Sequence, residues 1–249
     1  LASSGLVGNS YGLSTPTPLK SEFDQLRPSE SIPNGSLPTV LSQWLADPTA
    51  LQFTYQNNTP WYNTINIWNT TLITDMNNLF YNNTTFNQAI SNWDVSNVTN
   101  MTSMFQGATN FNQDISGWDV TSVTNMSGMF RTAYAFNQSI NSWGSKTSSV
   151  TNMSDMFNGA TSFNQPLNNW TVSGVTNMSD MFNGATSFNQ DIISSWATNL
   201  SNVTTMNSMF QGATSFDKDI RTWVTKGGIL SSGVTFVNMF NNATAMTVI

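Results

Sequence analysis

Cysteine and histidine are both absent from the 249-residue chain. Their absence removes thiol nucleophiles, imidazole general bases and the usual zinc ligands. The sequence also contains no glycine-rich loop of the kind that cradles phosphates. We therefore predict no catalytic residue, no metal site and no cofactor, and we expect that the protein is not an enzyme.

Charge is scarce as well, with 7 Lys and Arg, 13 Asp and Glu, and a net charge of −6. Nucleic-acid binding needs clustered basic residues, so nucleic acid is excluded as a partner. No apolar run approaches the roughly 20 residues that a membrane helix requires, so we expect no membrane insertion. Uncharged amides and hydroxyls, or added sugar, must then supply the polar surface.

One stretch is repeated along most of the chain. Residues 150–165 read VTNMSDMFNGATSFNQ, and the same sixteen letters return at 175–190. Alignment on the Met-Phe pair gives a column of aromatic residues spaced by roughly 25 to 30 positions, a period typical of stacked repeats. That column contains Phe80, Phe105, Phe130, Phe157, Phe182, Phe210 and Phe240.

The apolar positions of each repeat predict two short elements. Met101, Met104, Phe105 and Ala108 follow helical spacing, with Asn100 as the N-cap and Gly107 as a left-handed C-terminal residue. Asp155 and Asp180 are placed in the first turn of two such helices. The following Asn-Gln-x-Ile-x-x-Trp stretch predicts a short strand that stacks in parallel on its neighbours.

We therefore predict an α/β repeat solenoid, built from stacked strand-turn-short-helix coils and leucine-rich-repeat-like. Residues 61–249 form about seven repeats of 25 to 30 residues. Residues 1–60 form a non-repetitive arm and cap, with a helix predicted over residues 39–46. We expect the arm to lie along a folded surface, and the last repeat to leave an open edge with no capping segment after it.

The apolar columns admit a structural and a functional interpretation. The Met and Phe columns could line a hydrophobic groove, but helical spacing in every repeat favours core packing. The Trp column could stack on sugars, although burial is favoured because large aromatic side chains dominate cores. Its members are Trp93, Trp118, Trp143, Trp170, Trp196 and Trp223.

Two amide columns are the most prominent polar feature. The first contains Asn87, Asn112, Asn137, Asn164 and Asn189, and the second contains Gln88, Gln113, Gln138, Gln165 and Gln190. A buried Asn ladder with an exposed Gln row is the favoured interpretation, because desolvated amides must satisfy one another. The alternative is that the Gln row is a binding face for a glycan or an ice-like lattice.

Carboxylates and glycosylation sequons complete the candidate sites. Asp94, Asp114, Asp119, Asp191 and Asp219 could serve a glycosidase or bind calcium, but a solvated surface is favoured, since no cleft is implied. Many Asn-x-Ser/Thr sequons occur, and those in the arm or near coil ends are the better candidates for sugar attachment. These are Asn34, Asn57, Asn69, Asn82 and Asn242.

The order VTNMSxMFxGATSFNQDIxxWDVSNVTNM resembles the repeats of BspA-like surface proteins, a divergent branch of the leucine-rich repeats. The resemblance spans roughly residues 65–245. It implies a right-handed solenoid, an extracellular or cell-surface location, and a role in adhesion or interaction. Without cysteine, the lipoprotein anchor of bacterial relatives is not expected.

Two functions follow as hypotheses. The first is a glycosylated extracellular structural protein that binds copies of itself head-to-tail, through the N-terminal arm and the open last coil, as a fibre subunit would. The alternative is a cell-surface adhesin whose exposed strand face binds glycans or surface proteins.

Overall fold

The structure is a computed structural model that describes residues 31–32, 34–46, 65–197, 199–220, 223 and 233–246. Its regular secondary structure is sparse. Helix α1 spans Leu37–Ala46 and helix α2 spans Ile193–Trp196. Two 3-10 helices occupy Ile65–Ile67 and Asn141–Thr147, the second with a kink at Gly144. The predicted arm over residues 1–30 lies outside the described residues.

The repeats stack one on another through single-residue parallel bridges. The bridging residues are Asp75, Asn100, Asn125, Asn152, Asn177, Thr205 and Thr235, each paired with the next along the chain. We define a coil as the segment that starts at one bridging residue, so that the first coil is 75–99 and the last described coil is 235–246. A further bridge joins Ser31 to Asn69, below the first coil.

The predicted α/β solenoid of strand-turn-helix coils is wrong. Within the described residues the parallel bridges remain isolated and form no sheet. The segment predicted as a strand holds turns instead, with the Trp118 N–H bonded to the Ile115 carbonyl at 3.1 Å. Between coils, the Asn112 N–H donates to the side-chain oxygen of Asn87 rather than to a carbonyl. A side-chain acceptor thus replaces the backbone acceptor that a sheet would need.

The helix predicted over each Met-x-x-Met-Phe group is also wrong. Ser103 has a φ of 53° and Gly107 a φ of 73°, so the chain enters the left-handed region twice within five residues. Asp155 and Asp180 are left-handed too, with φ of 57° and 58°, and do not begin helices. Asn100 does bind the N–H two residues later, at 3.1 Å, but it starts a turn rather than a helix.

The predicted core columns are confirmed even though the elements are not. The Met, Phe and Trp columns between residues 73 and 223 are at most 4% exposed, apart from Leu79, which is 8% exposed in a Met position. Equivalent Phe rings of adjacent coils stack with centroids 5.2–5.7 Å apart in one column and 5.9–6.1 Å apart in the other. The core is therefore shared between neighbouring coils, as in other repeat arrays.

The indole N–H groups of the buried Trp column form hydrogen bonds inside this core. Each indole N–H from Trp93 to Trp223 donates to a backbone carbonyl 28 to 30 residues earlier in the chain, at 2.8–3.2 Å. Burial of Trp is thus confirmed, and these rings are not a sugar-stacking row. The indole N–H pins each coil to the preceding one.

Helix α1 covers the beginning of the stack, where a cap is predicted. It starts two residues before the predicted helix, and Leu37, Val40 and Leu41 on it are buried. Trp44 meets Trp68 edge to face, with centroids 6.2 Å apart. This packing closes the apolar face that the units after residue 65 would otherwise leave open.

Candidate functional site

The Asn column forms a continuous ladder along one side of the stack. Each side-chain oxygen accepts the backbone N–H of the equivalent residue in the next coil, for example Asn137 from Asn164 at 2.9 Å. The same bond occurs from Asn112 to Asn87, from Asn137 to Asn112 and from Asn189 to Asn164, each at 2.9 Å. The side-chain oxygen of Asn189 accepts the Asp217 N–H at 3.2 Å. The Asn residues therefore act as structural acceptors.

The Gln row lies beside the ladder and takes part in it. The side-chain nitrogens of Gln113, Gln138, Gln165 and Gln190 donate to the Asn of the preceding coil at 2.9–3.1 Å. These four side chains are partly buried, whereas Gln88 is exposed. The row is thus less free than the predicted exposed row, because its amide nitrogens are committed to the ladder.

One half of each amide remains available on this side. In the described residues the Nδ2 groups of the five Asn side chains donate no hydrogen bond, and the Oε1 atoms of the Gln side chains accept none. Free donors and free acceptors therefore alternate in neighbouring rows, repeated once per coil. Uncharged groups in this arrangement can bind hydroxyl or amide groups of a ligand.

The carboxylates are used by local turns. Asp114 accepts the Ser116 N–H at 2.8 Å, and this bond lowers the pKa of the Asp114 carboxyl below 3.8. The Thr121 hydroxyl, 2.6 Å from Asp119, lowers the pKa of that carboxyl. Asp191 accepts the Ile193 N–H at 3.0 Å at the start of α2. These three acids therefore act as hydrogen-bond acceptors within local turns.

Metal ligands do not converge in the part of the chain that the structure describes. No group of three or more Asp, Glu, His or Cys side chains comes together there. Asp191 and Asp219 line a shallow depression together with Ile193, Ser194 and Lys218. The same described residues include no helix that is long and apolar enough to cross a bilayer.

The candidate glycosylation residues lie in different surroundings. Asn82 and Asn242 are exposed and left-handed, with φ of 55° and 62°. Asn34 is exposed, but its amide nitrogen donates to the Thr74 hydroxyl at 3.0 Å. Asn69 is partly buried and its side-chain oxygen accepts from Thr71 at 2.7 Å. Asn57 lies outside the described residues. Asn82 and Asn242 are thus the most accessible.

The two ends of the described stack carry a feature that the sequence analysis missed. Phe236 is 40% exposed and Val237 62% exposed in the last described coil. Leu72 and Tyr81, at the opposite edge of the stack, are 54% and 48% exposed. In the described coils between them, Tyr134 is the one large apolar residue exposed to that degree. A Val in a column otherwise made of Asn, Ser and Thr was the signal that could have revealed this surface.

The comparisons with known proteins give one family and no close relative. A protein-family model described as "Mycoplasma protein of unknown function, DUF285" matches residues 49–147 and again residues 144–248. The two matches together span more than half of the chain. The BspA-like resemblance is not confirmed by name, since the matching family carries a different one. No curated protein and no solved structure is significantly similar to the chain.

Proposed function

The chain belongs to the DUF285 family of repeat-containing mycoplasma-type proteins, and on that premise we propose that it is a non-enzymatic, extracellular surface protein whose copies associate end to end. The observation that carries the proposal is the exposure of Phe236. Every Met that occupies its column in the preceding coils is at most 1% exposed, whereas Phe236 is 40% exposed. We expect an exposed apolar face of this kind to be covered by a partner.

An extracellular location agrees with the surface chemistry. The array carries few charges, and its outer rows consist mainly of Asn, Gln, Ser and Thr. Asn82 and Asn242 lie exposed within sequons, where sugar would add solvation without charge. A structural role suits the continuous core, because side chains shared between neighbouring coils make the described stack a scaffold with a long contact surface.

The test is a concentration series of the full chain by analytical ultracentrifugation. We expect oligomers that grow with concentration, and we expect Val237→Asp to weaken association at least tenfold, because a carboxylate would be desolvated in the contact. Tyr134→Asp is the matched control: it places the same charge on an exposed apolar residue in the middle of the stack and should leave association unchanged. A chain that stays monomeric at every concentration would contradict the proposal.

A second candidate function is glycan binding by the amide ladder. The free halves of the Asn and Gln amides favour it, because they present one donor and one acceptor per coil on an uncharged face. Replacement of Gln113, Gln138 and Gln165 by Ala should abolish binding on a glycan array. Ser139→Ala, on the same side of the stack, is the control and should retain it. Equal binding by both variants would rule out this use of the ladder.

A further inference from the structure

An exposed aromatic residue, Tyr134, lies beside the middle of the amide ladder. The N–H of Phe136 donates to the carbonyl of Ala133 at 3.1 Å, which closes a turn with Tyr134 and Ala135 at its tip. Asn137 follows this turn directly and is the central residue of the Asn ladder. Tyr134 is 48% exposed, so its ring is accessible at the surface.

The packing of the stack does not account for a tyrosine at this position. The same column holds threonine in the other described coils, at Thr84, Thr109, Thr161, Thr186 and Thr214. Three of these hydroxyls, those of Thr109, Thr186 and Thr214, donate to a carbonyl of the preceding coil at 3.3–3.4 Å. Within the described chain the Tyr134 hydroxyl has no hydrogen-bond partner. A side chain that is half exposed and forms no side-chain bond is available to a ligand.

Free halves of two amide groups follow this ring in the chain. The Oδ1 of Asn137 accepts the Asn164 N–H at 2.9 Å, and the Nε2 of Gln138 donates to the Oδ1 of Asn112 at 3.1 Å. These bonds hold both amides in place, and they leave the Nδ2 donor of Asn137 and the Oε1 acceptor of Gln138 without a partner among the described residues. Three residues span at most about 10 Å, so Tyr134 and Asn137 can contact the same short segment of a ligand.

The surroundings of Tyr134 favour an uncharged ligand. The charged residue nearest to it in the chain is Arg131, whose guanidinium lies 3.4 Å from the carboxylate of Asp155. Ser139 follows the two amides, in the column that Asp114 and Asp191 occupy in other coils. The coil that carries the exposed ring therefore presents a compensated charge and neutral polar groups.

We propose that Tyr134 is the stacking platform of a glycan site on the amide ladder. The ligand is a neutral glycan of β-linked glucose-type rings, whose equatorial hydroxyls leave a flat C–H face that can pack on the phenol ring. Hydroxyls at the rim of the sugar accept from the Asn137 Nδ2 and donate to the Gln138 Oε1. Tyrosine provides a large amphipathic contact at a low cost in conformational entropy. This inference rests on the second candidate function, glycan binding by the ladder, and adds its ligand class and its aromatic residue.

The test is isothermal titration calorimetry of the full chain with cellohexaose, a soluble neutral oligomer of β-linked glucose. Tyr134→Thr introduces the residue that the column carries in other coils, so we expect it to fold, and thermal unfolding checks this. It should weaken binding at least tenfold, because the stacking face is lost. Tyr134→Phe keeps the ring and should bind within about threefold of the parent chain.

Tyr81→Thr is the matched control. Tyr81 is also 48% exposed, but it lies six residues before its ladder residue, Asn87, whereas Tyr134 lies three residues before Asn137. This control should leave binding unchanged, and equal weakening by Tyr81→Thr and Tyr134→Thr would overturn the inference. Equal weakening by Tyr134→Thr and Tyr134→Phe would overturn it too, because the hydroxyl rather than the ring would then be responsible.

Two further outcomes separate this inference from the function on which it rests. Binding that Tyr134→Thr retains, but that replacement of Gln113, Gln138 and Gln165 by Ala abolishes, would overturn the role of Tyr134 while ladder binding stands. A parent chain that binds other sugars on the glycan array but not cellohexaose would overturn the ligand class in the same way. Binding to neither would overturn both the inference and the glycan function.

Discussion

The interior coils and the last described coil carry the same columns in opposite environments. Met153 and Phe157 are 0% exposed in an interior coil, whereas Phe236, in the Met column, is 40% exposed and Phe240 is only partly buried. The local turn bonds are alike, since the carbonyls of Phe157 and Phe240 each accept the N–H of the residue three positions later at 3.0 Å. A coil thus holds its conformation by its own turns, but burial of its apolar side chains is supplied by the neighbouring coils.

The largest effect that tests this comparison comes from truncating one aromatic ring in each region. Phe157→Ala should lower the free energy of unfolding by about 3–5 kcal/mol, because it opens a cavity between rings stacked on both sides. Phe240→Ala should cost about 1 kcal/mol, since part of that ring is already in water. Urea denaturation of both variants gives the two values. Equal losses would show that the last coil is buried as fully as the interior.

A smaller effect concerns the amide ladder. Asn137→Ala removes the acceptor for the N–H of Asn164 and for the Gln165 amide, 2.9 and 3.1 Å away. We expect a loss of about 1–3 kcal/mol, because a half-buried backbone donor is left unpaired. Gln165→Ala, the control, removes one donor and should cost about 1 kcal/mol or less. Similar losses in thermal denaturation would mean that the ladder does not bind one coil to the next.

A stabilising change is expected at Thr132. Its φ of 53° is left-handed, a strained conformation for a β-branched residue, and its column contains Gly107, Gly159, Gly184 and Gly212 in other coils. Thr132→Gly should raise the free energy of unfolding by about 0.5–1 kcal/mol. This is the energetic cost of the left-handed conformation for Thr minus the extra conformational entropy that glycine loses on folding. Asn242→Gly, at the same column in the last coil, should change stability less, because Asn tolerates this conformation. A fall in melting temperature for Thr132→Gly would contradict the assignment of strain.

The smallest effect is on pH dependence. The carboxyls of Asp114 and Asp119 have pKa values lowered from 3.8 by bonds from Ser116 and Thr121. Because the folded pKa lies below the unfolded one, their stabilisation is present above pH 3.8 and is lost as pH falls through the folded pKa. The double variant Asp114→Asn/Asp119→Asn should therefore show a flatter decline of melting temperature below pH 3.8 than the parent chain. A parallel decline would show that other groups control the acid limit.

Sequence periodicity identified what is buried but not the backbone that buries it. Met101, Met104, Phe105 and Ala108 repeat at helical spacing and are all 0% exposed. A helix and a chain of tight turns with left-handed residues can place the same positions inward, so the pattern did not distinguish them. The distinguishing signal was weak, since Ser103, Asp155 and Asp180 are left-handed without being glycine.

The ladder was more predictable than the direction of the backbone bonds between coils. Amides at one position in successive repeats predict mutual hydrogen bonding, and Asn112, Asn137 and Asn164 form such bonds. The direction of these bonds could not be derived in the same way, because Met101 and Ser103 donate to the following coil whereas Thr124 donates to the preceding one. That direction is set by the backbone conformation around the left-handed residues. The repeat sequence does not specify this conformation directly.

The backbone bonds between coils have a predominant direction, and this direction has an electrostatic consequence. At each interface between described coils four N–H groups donate forwards, whereas the N–H of a Thr such as Thr124 donates backwards, so the peptide dipoles leave a net moment along the stack. The end of the described stack at Phe236 and Asn238 then carries partial positive charge, and the end at Asp75 and Asn77 carries partial negative charge. By Coulomb's law, this moment favours the approach of an anion at the first end and of a cation at the second.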